Sequence, residues 1–117
     1  MIQKFEDLEV WKESVQLSVK IYQVLKECRD FGLKDQMQRS AVSIASNIAE
    51  GFERNSNKEF VHFLYVSKSS CGELRTQLYI SKAIALLDEQ TADRLIEHTK
   101  KISAMLYKLI QTRKEKF

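Results

Sequence analysis

No proline occurs anywhere in this chain, and that absence does most to limit what it can fold into. A strand-rich fold of 117 residues would need many tight turns, which draw on proline and glycine. Glycine stands only at Gly32, Gly51 and Gly72. The expectation is an all-α chain. Its hydrophobic fraction of 44% and charged fraction of 30% are ordinary for a folded domain and too apolar for a disordered one. A chain of this length buries roughly two-thirds of its unfolded surface, so residues 1–117 are expected to form one domain without a metal or disulfide staple.

Apolar residues at 100° per residue mark four helices, at about 7–28, 35–54, 57–87 and 91–113. In the first, Leu8, Trp11, Val15, Val19 and Tyr22 share one face, and Val10, Leu17, Ile21, Val24 and Cys28 share another nearly opposite. Gly32, in the link that follows, suits a helix C-terminal cap. Met37, Ala41, Ile44, Ala45, Ile48 and Phe52 form the core stripe of the second helix. Ser56 and Glu59 read as a capping box opening the third, whose core stripe includes Phe60, Phe63, Leu64, Cys71, Leu74, Leu78 and Ala85. Asp88 or Thr91 can cap the fourth, with Leu95, Ile102, Met105, Leu106, Leu109 and Ile110 inside. Short links make the helices antiparallel neighbours, an up-down-up-down four-helix bundle. A monomeric bundle hides one stripe per helix. The surplus, Val10, Leu17, Ile21 and Val24 on the first helix with Val66, Ile80 and Ile84 on the third, is expected to form a homo-oligomer interface.

The chemistry of catalysis and of cofactor or metal binding is missing from the pattern. The three glycines are too dispersed for a phosphate loop. Glu59 and His62 make one Glu-x-x-His pair, but a di-iron bundle needs two. His98 falls on the core stripe of the fourth helix, where a hydrogen-bonded structural role is expected, and His62 lies off its stripe in solvent. Cys28 and Cys71 have neither zinc nor disulfide spacing and fit reduced, cytoplasmic thiols. Ser40, Ser43, Ser67 and Ser70 read as small residues whose hydroxyls bond the preceding turn. The N-terminus has no signal-peptide pattern, and no apolar run reaches membrane-spanning length.

One polar line resists a plain solvated-face reading. Gln36, Arg39, Ser40, Ser43, Asn47, Glu50 and Arg54 lie along one side of the second helix, with Gly51 beside them. Exposed helices seldom place Ser, Asn and Gly on adjacent turns. With Ser70, Glu73 and Gln77 of the third helix, the line of Ser43, Asn47, Glu50 and Gly51 fits an interhelical hydrogen-bond network, a subunit seam or a ligand face.

The run from Gln36 to Arg54, centred on Asn47-Ile48-Ala49-Glu50-Gly51, resembles the signature of a bacterial family. Its members are four-helix bundle proteins encoded within intervening sequences of 23S ribosomal RNA genes. Phe5-Glu6-Asp7-Leu8-Glu9-Val10-Trp11, Phe63-Leu64-Tyr65-Val66-Ser67 and the stretch from Ser70 to Leu78 extend the resemblance over nearly the whole chain. The resemblance implies a four-helix bundle assembling as a homopentamer. Related proteins include the accessory variability protein of diversity-generating retroelements, which binds reverse transcriptase and nucleic acid. That protein is markedly basic, whereas residues 1–93 here hold 12 Lys/Arg against 14 Asp/Glu.

Positive charge instead collects in residues 94–117, with 7 Lys/Arg against 2 Asp/Glu. The expected function is therefore a non-catalytic homo-oligomeric adaptor that binds RNA or a ribonucleoprotein electrostatically. The candidate contacts are Arg39, Arg54, Lys58, Arg75, Lys100, Lys101, Lys108, Arg113 and Lys114. The alternative is a protein–protein interaction scaffold with no nucleic-acid role.

Overall fold

The computed structural model describes residues 2–117 and folds them into four helices, with no strand among the described residues. A 3-10 turn at Phe5–Asp7 precedes α1 (Glu9–Val24), α2 (Phe31–Phe52), α3 (Asn57–Ala83) and α4 (Glu89–Lys116).

Three of the four helices start on a side-chain cap. Asp30 accepts from the Leu33 amide at 3.1 Å, Ser56 from the Glu59 amide at 3.2 Å and Asp88 from the Thr91 amide at 3.1 Å. Each satisfies one of the amides a first helical turn leaves unpaired. The Asp30 cap starts α2 at Phe31 rather than Asp35, so Gly32 lies inside its first turn instead of ending α1. α1 stops at Val24, short of Cys28, because the Cys28 amide bonds the Leu25 carbonyl at 2.9 Å and closes a separate turn.

α3 ends at Ala83, four residues before the expected Leu87, and the chain turns out of it through a left-handed residue just beyond the Ile84 cap. Ala85 has φ 59°; the Leu86 amide reaches back to the Ser81 carbonyl at 2.9 Å and the Ala85 amide to the Lys82 carbonyl at 3.1 Å. This is a Schellman closure with alanine where glycine is the unstrained choice. Ala85 is therefore exposed and not part of the core stripe.

The helices pack as a ring: α1 touches α2 and α4, α3 touches α2 and α4, and the diagonal pairs do not meet. The result is an antiparallel bundle about 45 Å long and 19 Å across. Its core is Leu17 and Ile21 of α1, Met37, Ile44 and Ile48 of α2, Leu64, Leu74 and Leu78 of α3, and Ile102, Leu106 and Ile110 of α4, all fully buried.

That core corrects the expected assembly surface. Val10, Leu17 and Ile21 are buried within the protomer, and Val24 is half-buried against the same core, so none is free to meet another copy. The two stripes of α1 are about equally apolar, and the positions of α2 and α4 decide which one turns inward. The stripe left outside is the other: Val19 is 50% and Tyr22 48% exposed, with Leu8, Trp11 and Val15 half-covered. Val42 of α2 is also exposed. On α3, Ile80 and Ile84 are exposed and Val66 is half-buried.

α2 and α3 approach closely. A Cβ built on Gly51 would lie 2.6 Å from Phe63 Cβ and 3.3 Å from the Phe60 carbonyl. Nearby, the Ser67 hydroxyl donates to the Ile44 carbonyl across the helices at 2.8 Å. Two substitutions test these backbone positions by thermal unfolding. Gly51→Ala is expected to destabilise: overpacking against rigid backbone costs about 1–3 kcal/mol, which exceeds the gain of at most ~1 kcal/mol from replacing a helical glycine. Ala85→Gly is expected to stabilise by about 1 kcal/mol, relieving the left-handed alanine and raising Tm by about 4 °C. A lowered Tm for Ala85→Gly would contradict the closure described.

Candidate nucleic-acid interface

The polar line on α2 meets α3. Ser40 donates to Glu73 at 2.8 Å, the Ser43 and Ser70 hydroxyls lie 2.9 Å apart, and Asn47 Nδ2 donates to the Ser43 carbonyl and hydroxyl at 2.8 and 2.9 Å. Glu50 pairs with Arg54 at 3.7 Å, and Gln77 is buried beside the seam. Ser40, Ser43, Ser70 and Glu73, with the close approach at Gly51, thus join two helices of one protomer, while Asn47 bonds back within α2 and Gln77 lies buried between them. The hydroxyls of Ser40, Ser43 and Ser67 reach across to the neighbouring helix, not back to the preceding turn as expected. They can do so because Gly51 and the serines themselves bring the backbones close.

The nine candidate cations do not form one patch. Arg39 is held by Asp35 at 2.9 Å on the open side of α2. Arg54 pairs with Glu50 and Glu59, each at 3.7 Å, and covers the Phe63 ring. Arg113 donates to Asn57 Oδ1 at 2.7 Å and lies over Phe60 and Phe117, 5.0 and 3.8 Å from their centroids. Burial pulls its guanidinium below the usual arginine range. With Lys58, exposed in the first turn of α3, Arg54 and Arg113 belong to one end of the bundle. Lys101 reaches Glu13 of α1 at 3.3 Å, and Lys108 borders the α1–α4 groove.

Arg75 and Lys100 do come together in the groove between α3 and α4, and Lys114 lies farther along it beside Tyr65. Lys68, Arg75, Lys100 and Tyr107 line a trough of about 290 Å³, with Ser103 and Ala104 as its small residues. Arg75 spends Nε and Nη2 on the Thr99 hydroxyl (2.9 Å) and carbonyl (3.3 Å), which anchors the side chain along the groove. Lys100 pairs with Glu97 at 3.2 Å, and that bond raises its pKa above the usual lysine range. Lys114 sits 5.9 Å from the Tyr65 ring centroid. Lys68, Arg75 and Lys114 have no carboxylate partner among the described residues.

Lys68 and the tyrosines were not among the residues expected here. Tyr65, Lys68, Gly72, Arg75 and Tyr79 follow one another at three- and four-residue steps on α3, and Lys100, Tyr107 and Lys114 at seven-residue steps on α4. That shared helical phase is the signal that could have found them. Tyr65, Tyr79 and Tyr107 are 45%, 48% and 58% exposed. Gly72 has no packing reason to be glycine: a Cβ there would meet nothing within 4 Å. In mid-helix it costs about 0.5–1 kcal/mol relative to alanine.

The remaining reactive side chains have structural roles. Cys71 is buried and donates to the Thr99 carbonyl at 3.0 Å, and burial pushes its thiol pKa up, away from thiolate chemistry. His98 Nε2 lies 2.8 Å from Glu13 Oε1, linking α4 to α1, and His62 is exposed. Among the described residues no three His, Cys, Asp or Glu side chains gather as a metal would require, and no helix is long and apolar enough to cross a membrane.

Residues 6–108 match the family model described as 23S rRNA-intervening sequence protein. Among solved structures, the chain is similar to a crystal structure of a protein of unknown function from the S23 ribosomal protein family of Bacteroides thetaiotaomicron. The two share 21% identity with a TM-score of 0.83, over 88% of this chain and 99% of the other. That likeness bears on the fold. Among curated proteins, none matches.

Glu13 faces both His98 and Lys101, and the hydrogen bond from His98, then Lys101, holds its carboxyl below the usual glutamate range. A carboxylate with a depressed folded-state pKa stabilises the fold above its unfolded pKa, and that contribution is lost as pH falls through the folded value. Glu13→Gln is therefore expected to lower Tm at pH 7, with the difference from the parent chain shrinking as pH falls through the folded-state value. Equal Tm values at pH 7 would remove Glu13 as a fastener of α1 to α4.

Proposed function

We propose that this chain, which belongs to the 23S rRNA-intervening sequence protein family, works as a non-catalytic, homo-oligomeric adaptor in the cytoplasm that binds RNA or a ribonucleoprotein. The observation that carries the reading is the separation of two surfaces. In the ring of helices the α1–α2 side lies opposite the α3–α4 side. The first presents Val19, Tyr22 and Val42 with half-covered Trp11 and Val15; the second presents Lys68, Arg75, Lys100 and Lys114.

Copies that meet through the apolar side leave every basic groove facing outward. Burial of that side contributes roughly 25 cal/mol per Å² of apolar area. A stable contact needs about 800 Å² from each partner, so the interface must extend beyond these five residues. Pentamers are the assembly the family resemblance implies. Five copies of a modest basic groove on one particle would bind a long polyanion far more tightly than one, through effective concentration. Counterion release makes such binding steep in salt.

A scaffold reading has its own support at one end of the bundle. Phe31, Ile80 and Ile84 are 70%, 47% and 56% exposed where α2 begins and α3 ends. A partner chain covering that end would require no nucleic acid.

Light scattering after size exclusion, with and without a structured RNA, tests the adaptor. The expected mass is a multiple of 13.7 kDa. Val19→Glu with Val42→Glu should yield folded monomers, because neither side chain is in the core. RNA binding should weaken by tenfold or more between 50 and 200 mM salt if about four phosphates are neutralised. Lys100→Glu with Lys114→Glu should abolish it. A monomer at high concentration, or binding indifferent to salt and to charge reversal, would reject the reading.

A further inference from the structure

The α3–α4 groove has a second property that a patch serving only as a positive field would not need. Three of the chain's four tyrosines, Tyr65, Tyr79 and Tyr107, stand along it, each about half exposed. The fourth, Tyr22, is on the opposite side of the bundle. Each ring leaves about half its surface in water, apolar area that a side chain serving the fold alone would gain by burying. Between them the groove floor is made of small residues, Ser103 and Ala104 from α4, with Gly72 in phase on α3. Gly72 is the position where a helix tolerates its least favourable ordinary residue although the space beside it is empty. Cations and exposed rings therefore alternate around a small-residue centre: Lys114 and Tyr65, then Tyr107 and Lys68, then Arg75, Lys100 and Tyr79.

We propose that this groove is a binding site for single-stranded nucleic acid, with phosphates held by Lys68, Arg75 and Lys100 and bases stacked on Tyr65 and Tyr107. The proposal rests on the RNA-binding reading above and gives it a substrate class. A positively charged trough that tracks the backbone, with aromatic rings at intervals on which bases stack, is how proteins hold single strands without reading sequence. A duplex keeps its bases stacked on one another and offers the rings nothing, so a double-stranded ligand would use the cations alone. Each ring also sits beside a cation, so a stacked base and its phosphate can be held within one turn of the helix. Gly72 then has a purpose: the missing side chain leaves the strand room at the middle of the groove.

Fluorescence anisotropy with a labelled ten-nucleotide uridine oligomer and a labelled RNA hairpin of equal stem length tests this on the full chain. The single strand should bind at least tenfold more tightly than the hairpin. Tyr107→Ala and Tyr65→Ala should each weaken single-strand binding by about 5- to 150-fold, the range found when a stacking ring is removed. Tyr107→Phe should retain it, since the ring and not the hydroxyl does the stacking. Gly72→Leu places a side chain in open space, so it should raise Tm or leave it unchanged while weakening single-strand binding at least fivefold. Hairpin binding as tight as single-strand binding, with the alanine variants and Gly72→Leu unaffected, overturns the groove proposal. In that result, salt-steep binding that is lost on Lys100→Glu with Lys114→Glu would leave the adaptor reading standing. If neither RNA binds at low salt, both fall together.

Discussion

The close contact of α2 with α3 sets the geometry on which the rest of the bundle depends. Apolar packing alone tolerates rotation and sliding of one helix against another, because oily surfaces are not directional. The α2–α3 seam is directional. Ser40 to Glu73, Ser43 to Ser70 and Ser67 to the Ile44 carbonyl each require one register, and Gly51 allows the separation at which those bonds can form. Buried hydroxyls that lost their partners would cost about 1–3 kcal/mol each, so alternative registers are disfavoured several times over. Once α2 and α3 are locked, their inward sides define a furrow on which α1 and α4 must lie.

That furrow decides what the outer surface is. α1 turns Val10, Leu17 and Ile21 inward and leaves Val19 and Tyr22 out; α4 turns Ile102, Leu106 and Ile110 inward and leaves Lys100, Tyr107 and Lys114 out. Because α1 sits beside α2 and α4 beside α3, an apolar side and a basic, tyrosine-lined side come to lie back to back. The net charge of +3 is too small to indicate this. Placement carries the information: among the basic residues of 94–117, Lys100 and Lys114 lie along the α3–α4 groove, Lys101 and Lys108 on the α1–α4 side and Arg113 at the end of the bundle. In the groove, Lys114 stands without a carboxylate partner among the described residues and beside the exposed Tyr65 ring, while Lys100 touches Glu97. Elsewhere the positive charge is spent on the fold, as in Arg113 over its two phenylalanines and Lys101 against Glu13.

The same economy applies to the polar groups that might have been mistaken for a catalytic set. Thr99 shows it best. Its carbonyl accepts from Cys71 and Arg75 and its hydroxyl from Arg75, so a thiol, a guanidinium and a hydroxyl that could be drawn as reactive are tied to one another across α3 and α4. The bond from Arg75 also holds that side chain along the groove, linking a structural interaction to the proposed phosphate contact.

Sequence by itself determined the number of helices, their order and most of what lies inside, because a period of 3.6 residues and the capping residues Ser56 and Asp88 are local facts. It also determined the family, through the run around Asn47-Ile48-Ala49-Glu50-Gly51. Tertiary structure alone decided which of two apolar stripes on α1 faces the core, since both have the right period and only the position of α2 and α4 tells them apart. It alone decided that the serine line joins helices of one protomer, because a hydroxyl's partner across a seam is distant in sequence. And it alone gathered Tyr65, Lys68, Arg75, Lys100, Tyr107 and Lys114 on one side, since residues on separate helices share a surface only when packing has set the rotation of each.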